Sequence, residues 1–249
     1  MLKTLGVIQV PPASTLPGLK AIRGFQGKSL LEWVVRRVTD CQWLEGAIVV
    51  APAADEGALI ADLVPPDVPL YRSQRTDALG QFADALTSYP SESVVRIGIE
   101  QPFIDPELID RLITRARQSP NCDYIGYCTR NGKPAIRSSL GMFGEYFQTR
   151  ALLVADREAD LPEDRANVTR YLYSRPDKFL VRMIPVPTPL DREDLRLRIV
   201  SADDWEHVQQ IVEALGDEQL DWQQIAGLLA QQPDLRRRMA ALNRIDVTR

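Results

Sequence analysis

SVVRIGIEQPFIDPELIDRLI, residues 93–113, sets the reading of this chain. The apolar run Val94, Val95, Ile97 and Ile99 predicts a buried strand over 94–99 that ends at a single acid, Glu100. Pro102 stops the strand, and Asp105-Pro106-Glu107 opens an amphipathic helix over 106–118 with Leu108, Ile109, Leu112 and Ile113 on its apolar side. Asp105 suits the N-cap, Pro106 the first helical position and Glu107 the positive end of the helix dipole. In open α/β sheets ligands bind in the crevice outside the carboxyl ends of the strands, so Glu100 is a candidate site residue. The other reading open at this point is a polar loop residue.

Outward from this stretch, strands and helices alternate. Strands are predicted over 5–10, 47–51, 68–71 and 123–127, and helices over 29–38, 55–63 and 77–88. This pattern predicts an α/β fold with a mostly parallel sheet covered on both faces, with 5–10, 47–51 and 94–99 as adjacent central strands. The second half is less regular. A strand is expected over 135–143, helices over 146–155 and 167–173, and a strand over 180–185. Helices follow over 203–215, capped by Ser201, and over 221–230 and 233–243. No repeat or linker stands out, so one domain over 1–249 is expected, with the terminal helices 203–243 packed on it.

Composition narrows the function. The 249 residues are 45% hydrophobic and 26% charged, with a formal net charge of −4. That balance and the lack of a long basic tract argue against a nucleic-acid partner. No apolar run reaches the length of a membrane span, and the N-terminal run is too short for a signal peptide, so no membrane partner and a cytoplasmic location are expected. Cys41, Cys122 and Cys128 lack a CxxC spacing and read as reduced, mostly buried thiols. His207 is the lone histidine. It sits beside the apolar stripe of its helix and reads as a surface or boundary residue rather than a catalytic base. Ser-His, Cys-His and zinc chemistry therefore lack support. Neither GxGxxG nor GxxxxGK[ST] is present.

The loop after the first strand, from Gln9 through Lys28, is long and rich in small residues. Such a loop can bring backbone N–H groups to a phosphate, with Lys20, Arg23 and Lys28 as cations. A solvated surface loop is the alternative.

Here the residues resemble the cytidylyltransferase-like sugar nucleotidyltransferases, and in particular the spore-coat polysaccharide biosynthesis protein F type. CMP-acylneuraminate and CMP-Kdo synthetases are more distant relatives. The loop Q-A-R-x-x-S-x-R-L-P-G-K and the following G-K-P-L-[LI] resemble Gln9, Ser14, Leu16-Pro17-Gly18, Lys20 and Gly27-Lys28-Ser29-Leu30-Leu31. R-x-T-G-D-C-P-L-I-D-P resembles the stretch from Arg96 to Pro106, with Glu100 at the aspartate. E-H-V-T-x-Y-I resembles residues 167–172, and D-L-R-L-T-V-D-T-x-E-D-[FW] resembles 194–205. The resemblance implies a nucleotide-diphospho-sugar transferase (GT-A-like) fold. It also implies nucleotide binding by Gln9, Ser14, Lys20 and Lys28, Mg²⁺ on Glu100, and CTP and a sugar as substrates. A homodimer is expected on the same ground, with 133–150 as the interface.

Several chemical positions depart from the pattern. Pro11 stands where one loop arginine is expected and the second is deleted or replaced by Leu16, Val200 stands where a metal-binding aspartate is, and Gln81 where an arginine is. Asn167 replaces a Glu-His pair, and Gly141 lies where an acid is often found. Two functions follow. One is a degenerate cytidylyltransferase-like protein, weak or silent in catalysis, linked to surface polysaccharide biosynthesis. The other is an active Mg²⁺-dependent enzyme making a CMP-sugar from CTP and an acidic or phosphorylated sugar. Catalytic residues are not assigned by the sequence.

Overall fold

The computed structural model describes residues 2–11, 24–53, 60–216 and 220–247. Nine strands are assigned among them: β1 (Leu2–Gln9), β2 (Gly24–Phe25), β3 (Lys28–Ser29), β4 (Gly46–Pro52), β5 (Leu70–Ser73), β6 (Ser91–Gly98), β7 (Tyr124–Cys128), β8 (Glu145–Gln148) and β9 (Val181–Pro185). The helices are α1 (Leu30–Thr39), α2 (Ala78–Ser88), α3 (Pro106–Arg117), α4 (Thr149–Glu158), α5 (Pro162–Arg165), α6 (Arg170–Tyr173), α7 (Ala202–Leu215), α8 (Trp222–Gln231) and α9 (Pro233–Val247). Seven strands form one sheet in the order β5-β4-β1-β6-β8-β7-β9. β1 pairs in parallel with β4 and β6, so the runs 5–10, 47–51 and 94–99 are neighbours, as the alternation predicts. Within this sheet β8 alone is antiparallel, to both β6 and β7.

The strands alternate between two apolar layers. On β1, Leu5 and Val7 join the layer of α2, α4 and α6, while Ile8 joins that of α1 and α3. The side chains Trp205, Ile211, Ile225, Leu229, Leu235 and Met239 of α7, α8 and α9 belong to this second layer. Local sequence sets the helix starts. Ser29, Asp77, Asp105 and Asp221 each accept a first-turn backbone N–H, and Ser201 forms a capping box with Asp204. Asp105 caps α3 through Oδ1 and takes the Trp222 N–H on Oδ2 at 2.8 Å, which joins the start of α8 to the start of α3.

Two expectations for the second half are corrected. Residues 135–143 are not a strand: Ala135–Arg137 is a 3₁₀ turn. Ser139 O accepts from the backbone N–H groups of Leu197 and Arg198, so a distant loop holds this segment. The helix expected over 146–155 begins at Thr149, because Tyr146 and Phe147 lie on β8. Tyr146 enters one apolar layer and Phe147 the other, the period-two signature of a strand buried on both faces. With no breaker between strand and helix, the apolar run alone could not divide them. The helix expected over 167–173 is confined to α6, and that expected over 55–63 lies largely outside the described residues. Among the described residues no helix is long and apolar enough to cross a membrane.

His207 proves more buried than its place beside the stripe suggests, at 4% exposure. Its Nδ1 has no hydrogen-bond partner among the described residues. Burial, aided by Arg238, lowers its pKa despite the acids Asp203, Asp204 and Glu206. The folded chain therefore takes up this proton later than the unfolded chain, whose histidine titrates near 6.5 (about the free value). Stability contributed above that pH is expected to fall as the pH drops through the lowered folded value. Urea titrations at several pH values below 7 check this: His207→Gln should shrink the acid-side loss, and an identical slope in both proteins would refute it.

Candidate anion-binding site at the sheet edge

The carboxyl end of β6 brings two of the candidate residues, Gln9 and Glu100, to the same sheet edge. Gln9, at the tip of β1, lies opposite Gly98 in the β6 register. Its side chain is buried and its Oε1 accepts two hydrogen bonds from Arg96, at 2.9 Å from Nε and 2.7 Å from Nη2. The Nη1 of Arg96 donates to Glu145 Oε2 at 2.7 Å. Glu145 Oε1 then accepts from the Tyr124 and Thr169 hydroxyls, each at 2.7 Å. Gln9 of β1 and Glu145 of β8 thus fix the Arg96 guanidinium, while Tyr124 of β7 and Thr169 hold Glu145. Burial and the adjacent Glu145 carboxylate hold the Tyr124 hydroxyl protonated well above its ordinary range.

Glu100 follows immediately. Its side chain folds back over the strand tip, where a Cβ on Gly98 would lie 2.4 Å from both carboxylate oxygens. A side chain at 98 would push the acid away. Glu100 Oε1 is 2.9 Å from Arg198 Nη2, an ion pair with the acid side chain 10% and the arginine side chain 38% exposed.

Arg198 is carried by the loop before α7. That loop is docked by the Ile199 N–H on Glu100 O at 2.9 Å, and by the N–H groups of Leu197 and Arg198 on Ser139 O. Beneath it lies a buried pair: Arg196 Nε donates to Asp204 Oδ1 at 2.5 Å, and Asp204 Oδ2 accepts from the Val200 and Ser201 N–H groups at 2.8 and 2.7 Å. Burial would raise the Asp204 pKa, but Arg196 and these N–H groups outweigh it and hold the acid below the ordinary carboxylate range. Gly141, with φ +59°, crosses this loop so closely that a Cβ would meet the Arg198 N and Cα at 2.6 Å. An acid at 141 is sterically barred in this arrangement.

These groups wall a cavity of about 70 Å³ lined in part by Arg96, Glu100, Arg137, Asn167, Thr169 and Arg198. That is room for several waters or a small anion. With Glu145 behind Arg96, three guanidinium groups face two carboxylates, an excess of one positive charge. A divalent cation asks for oxygen ligands. Among the described residues Glu100 supplies the sole carboxylate on the cavity wall, and it is already paired. Among the described residues no group of three or more His, Cys, Asp or Glu is placed to hold an ion. As arranged, this donor set does not fit Mg²⁺.

Lys28 and Gln81 do not line this cavity. Lys28 is exposed on the β2–β3 hairpin and is not part of the cavity wall. Phe25 of that hairpin packs edge-on against Trp33 of α1 and Trp205 of α7, at 4.9 and 5.7 Å between ring centroids. Ser14, Lys20, Arg23 and Leu16 fall outside the described residues. Gln81 is buried in α2, where its Nε2 donates to Arg75 O. Sequence reasoning passed over Arg198, Arg137 and Glu145. Arg198 had one signal, an arginine inside the stretch 194–205 where the pattern carries a threonine; Glu145 had none beyond being an acid between apolar residues.

The crevice lies at the strand tips of a mostly parallel, helix-covered sheet, where open α/β folds bind their ligands. The chain belongs to the cytidylyltransferase family, whose sequence profile matches residues 13–230. It is 27% identical over 236 residues to an uncharacterized protein of Methanocaldococcus jannaschii, covering 94% of this chain and 93% of that one. It is 24% identical over 238 residues to the spore coat polysaccharide biosynthesis protein SpsF of Bacillus subtilis, covering 92% and 95%. The structure of a cytidylyltransferase from Leptospira borgpetersenii superposes with a TM-score of 0.83 at 20% identity, covering 94% of this chain and 97% of that one.

Proposed function

We propose that this protein binds a cytidine nucleotide at the carboxyl edge of its sheet and turns it over weakly or not at all, in the service of surface-polysaccharide biosynthesis. Family membership and the likeness to the Bacillus subtilis spore coat protein support the nucleotide and the pathway class. The observation that carries the silent reading is the Arg198–Glu100 ion pair. Nucleotidyl transfer depends on positioning and on neutralising charge that develops on the phosphates. Here the acid expected to help hold a metal is engaged by an arginine, while Val200 and Pro11 replace two further charged groups.

The second reading, an active Mg²⁺-dependent enzyme joining CMP from CTP to an acidic or phosphorylated sugar, draws on the excess positive charge of the cavity, which suits an acidic sugar. Two measurements separate the readings. A thermal-shift titration with CTP is expected to raise the melting temperature, by about 5–10 °C at roughly a hundred times Kd. Pyrophosphate release from CTP, with acidic sugars and Mg²⁺ present, is expected to stay at background. Sustained release that Glu100→Ala abolishes would overturn the silent reading; no thermal shift would overturn nucleotide binding.

A further inference from the structure

We propose that Arg198 takes the place of a divalent cation beside Glu100, so that the cavity holds a phosphate-bearing anion directly and without metal. The inference deepens the nucleotide-binding reading and rests on it for the identity of the natural ligand, but not for the phosphate chemistry itself.

Four observations converge. Arg198 Nη2 lies 2.9 Å from Glu100 Oε1, so a guanidinium already holds the carboxylate that a metal would need. The Arg198 Nε–H is buried with no hydrogen-bond acceptor among the described residues. A buried donor without a partner costs free energy that an anionic ligand would recover after a small shift of the fork. Arg96 is immobilised by Gln9 and Glu145, a fixed positive wall rather than a free surface charge. Arg137 is exposed and lines the same cavity, placing a third guanidinium within reach of an entering ligand.

The charges decide between the occupants. With Glu100 and Glu145 set against three arginines, the site carries one excess positive charge. A divalent ion would raise that to three and would face Arg198 for the same carboxylate oxygens. A phosphate oxyanion instead lowers the excess and meets planar donors matched to its geometry. Glu100 then has an unusual role. It orients Arg198 while opposing the anion, whereas a metal ligand would assist anion binding.

That difference of sign gives the test. The full-length protein is titrated with inorganic pyrophosphate by calorimetry, once in EDTA and once in Mg²⁺. Binding is expected in EDTA, with no gain from Mg²⁺. Arg198→Ala should weaken it by roughly ten- to a hundredfold, and Arg198→Lys, which keeps charge but loses the fork, by less. Glu100→Gln, which keeps shape and removes the opposing charge, should tighten binding several-fold. Binding that requires Mg²⁺ and is lost in Glu100→Gln would overturn the proposal, as would pyrophosphate affinity indifferent to both substitutions. Melting curves confirm that each variant is folded. CTP titrated in parallel keeps the two readings apart: pyrophosphate binding with no CTP binding removes the nucleotide and leaves the metal-free site standing.

Discussion

Glu145→Ala is expected to cost about 3–5 kcal/mol of stability, the range for removing one partner of a buried ion pair. At roughly 2–4 °C per kcal/mol for a chain of this size, the melting temperature should fall by about 10 °C. Glu145 is 1% exposed, and its two oxygens are committed to Arg96, Tyr124 and Thr169. Without it the Arg96 guanidinium keeps only Gln9 as a hydrogen-bond partner among the described residues, and two buried hydroxyls lose their acceptor. Glu145→Gln keeps the volume and one acceptor oxygen, so it should cost less than alanine while still weakening anion binding through Arg96. Differential scanning calorimetry of the two variants checks the order. Equal, small losses would mean that the network contributes little to the native state.

Asp204→Ala is expected to have a similar effect on stability for a different structural reason. The side chain is 1% exposed and serves two purposes, pairing with the buried Arg196 and closing the capping box of α7 with Ser201. Its loss removes the buried carboxylate that pairs with Arg196, about 3–5 kcal/mol, and leaves a helix start without its reciprocal cap, about 1 kcal/mol more. Because Asp204 also holds the Val200 and Ser201 N–H groups, the loop that presents Arg198 should loosen, and pyrophosphate binding should weaken with it. The pH dependence has a definite sign. The folded pKa of Asp204 is lowered, so its contribution is present above the ordinary carboxylate pKa, near 4, and is lost as the pH falls through the lower folded value. The gap between wild type and Asp204→Ala should therefore narrow only in strong acid. A constant gap down to the acid transition would show that the ion pair is not its source.

Much of the fold was legible because it rests on short-range rules. The strand 94–99 and the helix from Pro106 follow from an apolar run, a proline and an N-cap, all within about a dozen residues, and Asp105 caps α3 as read. Ser29, Asp77, Ser201 and Asp221 begin helices for the same local reason. Legibility failed where an element owes its form to distant chain. The four residues of β8 have no breaker after them, and they are a strand because β6 and β7 flank them. Residues 135–143 lack ladder partners and are held by the loop around Leu197 and Arg198.

For the site, the sequence by itself determined the residue types at the strand tip: an acid at Glu100, an amide at Gln9, and a lack of the expected charges at Pro11 and Val200. It could not determine what those groups face. The Arg198–Glu100 pair, the Arg96 bridge from Gln9 to Glu145, and the steric bar to an acid at Gly141 each join segments far apart in the chain. Tertiary structure alone decided them, because a side chain's charge is written in the sequence, whereas its counter-charge is set by which loops the packed sheet brings to the same edge.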